Sequence, residues 1–134
     1  MSNFGKLQDY KQLQTYAEQV AKFLKLLSCP VVEVKPVDRG KARLKTRKIT
    51  IPVRVLGDNE AYKRYYVAHE VCHFSTGLEH SRDFKHKEDE VVRKLWGIGI
   101  IRYDGRPPKP WQDWRVYPVR LVDLKSGEVI WSRK

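Results

Sequence analysis

The sequence is poor in cysteine and in long apolar runs. Cys29 and Cys72 are its only cysteines, too few for a disulfide framework. No apolar stretch approaches the roughly 18 to 20 residues that a helix needs to cross a bilayer. The opening residues MSNFGKLQDYKQ lack the basic-then-apolar order of a secretory signal. We therefore expect a cytoplasmic protein that does not enter a membrane.

Acidic residues are also scarce relative to basic ones. The 134 residues include 27 Lys and Arg against 16 Asp and Glu, which gives a formal net charge of +11. Such an excess raises the electrostatic potential of the whole surface for polyanions. Nucleic acid, bound through a basic surface, is therefore the first partner to consider. The alternative is that these side chains only solvate the protein.

The length and a hydrophobic fraction of 41% are typical of a single globular domain, which we expect to span residues 1–134. Residues 6–27 have the apolar spacing of an amphipathic helix, and VVEVKPV then predicts a short strand. The segment DRGKARLKTRKITIPVRV predicts two antiparallel strands after a turn at Asp38-Arg39-Gly40. The expected fold class is thus α+β with a small antiparallel sheet.

Two further helices and a hairpin are predicted. Asp58 or Asn59 can cap a helix over residues 60–76, and EDEVVRKLWGIGI has the pattern of another helix. Residues from about 105 to 134 form a C-terminal extension that begins with the connector RPPKP. The extension ends in a β-hairpin around Lys125-Ser126-Gly127. We expect its tryptophans to dock the tail on the core.

The helix over residues 60–76 carries the motif HEVCH. His69 and His73 are one turn apart on one helix face, so both imidazoles can reach one zinc ion. Glu70 follows the first histidine, where a carboxylate can act as general base on a zinc-activated water. The apolar side chains fall in a separate sector that we expect to face the core: Val67, Val71, Phe74 and Leu78.

A catalytic zinc usually takes three protein ligands and leaves one position to water. The third ligand could be His80, seven residues after His73 across Gly77. His86 and the acidic residues 88–90 are the alternatives.

The stretch HEVCHFSTGLEHSRDFKH resembles the SprT-like zinc metalloproteases, which include Spartan and the YgjP-type proteins. In that family the HExxH motif is followed by a histidine in an H-[GS]-x-x-F context, here His80 to Phe84. The resemblance implies a zincin-like fold, zinc ligands His69, His73 and His80, and Glu70 as the base. It also implies that Phe84 packs beneath the ligand loop. Because the tail contains no cysteine, we expect no second, structural zinc.

Two other interpretations remain. The ImmA/IrrE-like metallopeptidases complete HExxH with a glutamate on the next helix, a part that Glu88 or Glu90 could play. Alternatively, the protein is a basic nucleic-acid-binding module in which a metal only holds the fold.

We expect a monomeric zinc metallopeptidase that hydrolyses a protein or peptide with one catalytic Zn²⁺, and that acts on proteins associated with nucleic acid. Three tyrosines, Tyr62, Tyr65 and Tyr66, could donate a hydrogen bond to an oxyanion. We expect instead that they pack with their hydroxyl groups in solvent. Cys72 is predicted to be a small buried residue.

Overall fold

The protein, described by a computed structural model, has an α+β fold, which confirms the predicted class. The structure describes residues 3–102 and 120–132, with side chains from residue 9 onward. The connector RPPKP and the tryptophans at 111 and 114 lie outside the described residues. The elements in chain order are α1 (Asn3–Phe23), β1 (Val31–Lys35), β2 (Lys41–Arg43), β3 (Lys48–Pro52), α2 (Val53–Leu56), α3 (Glu60–Thr76), α4 (Arg82–Trp96), β4 (Ile98–Ile101), β5 (Arg120–Asp123) and β6 (Val129–Ser132).

Helix α3 has the predicted bounds because both of its ends carry local signals. The side chain of Asn59 accepts a hydrogen bond from the backbone N–H of Tyr62 at 3.0 Å, which caps the first turn. At the other end Gly77 adopts a φ of 95°, which is costly for any residue with a Cβ, and the chain leaves the helix there. These two residues place the HEVCH motif in the middle of a regular helix.

The environment of α3 differs from the expected single core-facing stripe. Every side chain from Tyr65 to His73 is buried, so the histidine side of the helix is enclosed as well as the apolar side. Helices α1 and α4, the strands β2 and β3, and β6 all contact it. Leu78, the last member of the predicted core sector, is exposed. The helix is the centre of the fold, which the pattern of one apolar sector did not indicate.

The first sheet has the strand order β1-β3-β2. Strands β2 and β3 pair antiparallel, as predicted, with Ala42 opposite Ile49. Strand β1 pairs parallel to β3 rather than with the next strand along the chain, so this sheet is mixed. Its inner side buries Val32, Ile49 and Ile51 completely, and these residues form part of the core beneath α3.

Helix α4 begins earlier than predicted. The side chain of Ser81 accepts a hydrogen bond from the backbone N–H of Phe84 at 3.2 Å, so the helix starts at Arg82 and not at Glu88. It ends at Gly97, which has a φ of 64°. The residues 98–100, assigned to the helix from the sequence, belong to strand β4 (Ile98–Ile101) instead. The acidic residues 88–90 therefore lie inside the helix, one to two turns beyond its first turn.

The second sheet contains β4, β5 and β6, all antiparallel, and the pair β5–β6 is the predicted C-terminal hairpin. The hairpin docks on α3 through Trp131. The indole ring stacks on Tyr62 with centroids 4.5 Å apart, and its N–H donates to the Asp58 carboxylate at 3.1 Å. The predicted docking of the tail by a tryptophan is confirmed for this residue.

Helix α1 ends at Phe23, four residues before the predicted limit, and Leu27 is fully exposed. Its apolar side is buried as expected, with Leu13, Ala17 and Val20 inaccessible to solvent. Within residues 3–102 and 120–132, no helix is both long enough and apolar enough to span a membrane.

Asn59 should stabilise both the start of α3 and the attachment of the hairpin, because its amide also donates to the carbonyl of Ile130 at 2.6 Å. Asn59→Ser keeps a capping oxygen but cannot reach Ile130, whereas Asn59→Ala loses both contacts. We expect the alanine variant to lower the free energy of unfolding by about 1–2 kcal/mol and the serine variant by about half of that. Urea unfolding measures both, and equal losses would show that the cap contributes nothing.

Candidate metal centre

Three histidines from two neighbouring segments meet in one cluster. His69 and His73 come from α3, and His80 comes from the short loop that leads into α4. One ring nitrogen from each lies within 4.8 Å of the others. Nε2 of His69 and Nε2 of His80 are 3.1 Å apart. His69 and His73 are buried and His80 is half-buried, so the cluster lies just beneath the protein surface.

The cluster fits a tetrahedral metal ion. Two imidazole nitrogens bound to one zinc ion, each about 2.0–2.1 Å from it, are about 3.3 Å apart. The separation between His69 and His80 is close to that value. Imidazole nitrogens suit zinc and several other divalent transition metals. The three residues predicted as ligands are therefore brought together in a geometry that can hold such an ion.

The orientation of His73 depends on Gly77. Nδ1 of His73 lies 2.8 Å from the carbonyl oxygen of Gly77, to which it can donate a proton. This contact leaves Nε2 as the basic nitrogen on the side of the cluster. Gly77 makes this contact with a φ of 95°, a conformation that residues with a Cβ rarely adopt. The residue that ends α3 thus also orients one of its histidines.

The orientation of His69 depends on Glu88, which the sequence offered as an alternative ligand. Nδ1 of His69 lies 2.6 Å from a carboxylate oxygen of Glu88, on the opposite edge of the ring from the nitrogen that faces His80. Glu88 is buried, and its other oxygen accepts a hydrogen bond from Arg102. The geometry favours His80 over Glu88 as a third ligand. A carboxylate behind a ligating histidine holds the ring and makes it more basic.

Two neighbours keep Glu88 ionised. Burial raises the pKa of the Glu88 carboxyl, but the charges and hydrogen bonds of His69 and Arg102 outweigh it and lower this pKa below its ordinary value. Arg102 also donates to the Asp89 carboxylate at 2.6 Å. Burial lowers the pKa of the Arg102 guanidinium, whereas Glu88 and Asp89 raise it, with a net increase. A chain of ionic hydrogen bonds therefore runs from His69 towards the end of β4.

Phe84 packs against all three histidines. Its ring stacks on His73 with a centroid separation of 4.5 Å and meets His69 and His80 edge to face at 4.9 and 5.1 Å. Phe84 is buried, and its backbone N–H is the group that Ser81 caps. The cap and the aromatic contact together place His80, as the resemblance implied for this residue.

Glu70 lies beside the cluster and is buried. One of its carboxylate oxygens is 3.8 Å from Nε2 of His73. The other lies against Gly40 so closely that a Cβ at position 40 would be 2.7 Å from it and 2.9 Å from the carbonyl oxygen of Thr50. The backbone N–H of Gly40 donates to the hydroxyl of Tyr66 at 2.8 Å. Only a residue without a side chain fits between β2 and the carboxylate.

A cleft of about 170 Å³ opens over these groups. Residues 40–42 form one wall, and Leu78 lies at its rim. Glu70 and the three histidines line the cleft, so a molecule bound there would contact the carboxylate and the cluster together. The wall formed by residues 40–42 includes the first two residues of β2, which is an edge strand of the first sheet.

Other predicted candidates are placed elsewhere. His86 is exposed and lines a second cleft with Asp89 and Glu90, so it does not join the cluster. Cys72 is buried as predicted, and burial raises the pKa of its thiol well above the ordinary value.

The expectation that the three tyrosines have solvated hydroxyl groups is wrong. Tyr62, Tyr65 and Tyr66 are all buried, because α4, the first sheet and the hairpin cover the sides of α3 on which they lie. Burial, followed by the charge of Glu88, raises the pKa of Tyr65 well above its ordinary value. Gly40 and Arg102 carry no sequence signal for their roles, since contacts between distant segments place both.

Solved structures with a similar fold are metallopeptidases. The crystal structure of the metallopeptidase zymogen of Pyrococcus abyssi abylysin matches 62% of this chain and 94% of its own, with a TM-score of 0.52 and 20% identity. The zymogen of Methanocaldococcus jannaschii jannalysin matches 63% of this chain and 81% of its own, with a TM-score of 0.51 and 18% identity. No protein-family model and no curated protein matches the sequence. This similarity shows that the chain has the zincin-like fold of these metallopeptidases. Membership of the SprT-like family stays a prediction.

Removing Arg102 should destabilise the protein by leaving the buried carboxylate of Glu88 short of a partner. We expect Arg102→Met to lower the free energy of unfolding by about 2–3 kcal/mol, because one oxygen of the buried Glu88 carboxylate loses its charged hydrogen-bond donor while His69 still contacts the other. Arg102→Lys keeps the charge and should lose less. Arg120→Met removes an exposed arginine of β5 and serves as the control. An Arg102→Met variant as stable as this control would contradict the described network.

Proposed function

We propose that the protein is a zinc-dependent metallopeptidase. His69, His73 and His80 hold the ion, and Glu70 is the general base. The observation that carries the proposal is the convergence of three imidazoles, with two Nε2 atoms 3.1 Å apart, beside a buried carboxylate in one cleft. The metallopeptidase fold of the two solved structures supports it.

The buried partners of the histidines prepare the cluster to bind a cation. His69 donates through Nδ1 to Glu88 and His73 donates through Nδ1 to Gly77, so each presents a basic Nε2. A zinc ion held there supplies a Lewis acid, which polarises a carbonyl group and lowers the pKa of water to about 7. The ionised carboxylate of Glu88 adds a negative charge that offsets part of the positive charge of a cation bound by the histidines.

Glu70 moves the protons of the reaction. Its carboxylate takes a proton from a water molecule in the cleft as the water oxygen attacks the carbonyl carbon of the peptide bond. The carbon–nitrogen bond then breaks, and Glu70 returns the same proton to the departing amine. Glu70 ends the cycle ionised, and the products are a carboxylic acid and an amine. Gly40 lies against this carboxylate from the opposite wall, and its own position is fixed by the hydrogen bond from its backbone N–H to the hydroxyl of Tyr66.

A purely structural metal site explains the cluster less well. Burying a carboxylate costs free energy unless it is compensated, and a structural site gains nothing from a second buried acid beside its ligands. Glu70 is only 2% exposed and faces the same cleft as the histidines. Its position is the one that a hydrolytic base requires.

The ligand set predicts a specific loss of metal. Wild-type protein prepared without chelators should contain about one zinc per chain, and His80→Ala should retain a small fraction of it, because two imidazoles hold zinc much more weakly than three. His86→Ala, which removes the exposed histidine of the second cleft, should keep the full amount. Elemental analysis of the three proteins measures this. Full retention in His80→Ala would exclude His80 as a ligand.

Glu70→Gln should separate metal binding from hydrolysis. The amide has the shape of the carboxylate but cannot accept the proton, so we expect full zinc content and a rate lower by about 10²–10⁴-fold. Cleavage of a proteome-derived peptide mixture, followed by mass spectrometry, measures hydrolysis without a known substrate. Glu60→Gln, on the first turn of the same helix, is the matched control. Equal cleavage by wild type and Glu70→Gln would refute the assigned role.

A further inference from the structure

The outer side of the first sheet carries a row of cations. Side chains alternate along its strands, and Val32, Ala42 and Ile49 point inward to the core. Their neighbours along the strands therefore point outward. The outward cations are Lys35, Lys41, Arg43 and Lys48, which we call the basic face.

Among the described outward residues of this sheet, a single acid partly balances the four charges of the basic face. Glu33 is the acid on the outward side of β1, and it lies 3.9 Å from the Lys48 ammonium and 4.0 Å from that of Lys35. These are the longest ion pairs found among the described residues, and exposed pairs of this kind contribute at most about 1 kcal/mol. The face keeps a net positive charge.

Two of these cations oppose each other directly. Arg43 and Lys48 are register partners in the antiparallel pair β2–β3, so their Cβ atoms are about 5 Å apart on the same side of the sheet. Like charges in that position destabilise a sheet. Both side chains are exposed and gain no burial in return. An anion bound across the two strands would remove the repulsion.

The outward side chains of the basic face form a regular array of positive charges. Successive outward residues on one strand are about 6.8 Å apart and neighbouring strands about 4.8 Å apart, so the face presents cations at intervals along two directions. A polynucleotide carries one charge per phosphate along its backbone and releases counterions when lysines and arginines neutralise it. We propose that the basic face binds the phosphate backbone of nucleic acid.

The basic face is continuous with the candidate metal centre. Lys41 belongs to it and also lines the cleft over Glu70 and the histidines. Nucleic acid held on this face would therefore lie next to the cleft and bring proteins associated with it close to the cluster. Binding itself goes beyond the proposed function and requires neither zinc nor hydrolysis.

The test compares two triple variants with the same change in net charge. Lys41→Gln/Arg43→Gln/Lys48→Gln removes most of the basic face. Lys11→Gln/Lys22→Gln/Lys94→Gln removes three exposed lysines from helices α1 and α4. Fluorescence anisotropy with a labelled single-stranded oligonucleotide and the matching duplex gives the affinity at several salt concentrations. Thermal unfolding verifies that both variants fold, and the first should be no less stable than wild type because it loses the Arg43–Lys48 repulsion.

The salt dependence decides the outcome. Each phosphate contact contributes about 0.7 to the slope of log affinity against log salt for single strands and about 0.9 for duplexes. We expect the first variant to reduce the slope by about 2 to 3 and the helix variant by less than 1. Equal reductions in both would show that net charge alone attracts nucleic acid. Wild type that binds neither oligonucleotide, or that binds only vesicles of phosphatidylserine, would overturn the proposal. None of these results depends on zinc content or peptide cleavage, so the proposed function is tested separately.

Discussion

The burial of ionisable side chains along the middle of α3 is the constraint on which the rest of the structure depends. His69, Glu70 and His73 are each at most 4% exposed, and a buried polar group must find a partner or lose stability. Glu88 of α4 is the partner of His69, and the carbonyl of Gly77, at the end of α3, is the partner of His73. Helix α4 must therefore lie where it does for the helix beside it to be stable. The packing of α4 against α3 therefore stabilises the fold and also positions a histidine of the candidate metal centre.

Local signals allowed much of this arrangement to be predicted. Asn59 and Gly77 bound α3 through contacts made within a few residues, so the helix that carries HEVCH could be placed from the sequence. The hairpin at residues 120–132 follows from alternation and from Gly127, which has a φ of 77°. The convergence of His80 on the other two histidines follows from a short loop. A loop this short keeps His80 close to the end of α3.

What could not be predicted depends on contacts between distant parts of the chain. The start of α4 was missed because Ser81 is followed by polar residues, and the acidic run at 88–90 imitates a helix N-terminus. The parallel pairing of β1 with β3 has no local signature. The sequence offered Glu88 as a possible ligand, but only the structure shows which edge of the His69 ring it contacts. The requirement for glycine at position 40 also arises from a distant contact, with the Glu70 carboxylate thirty residues further along the chain.

The docking of the hairpin has a consequence for folding in the cell. The contacts from Asn59 to Ile130 and from Asp58 to Trp131 join residues 71 and 73 positions apart. Chains are synthesised at about 5–20 residues per second, so α3 leaves the ribosome several seconds before the strand that covers Tyr62. During that interval the buried ring of Tyr62 lacks the indole ring that stacks on it in the folded protein. Newly made protein should therefore complete the packing around the start of α3 only after β6 has emerged.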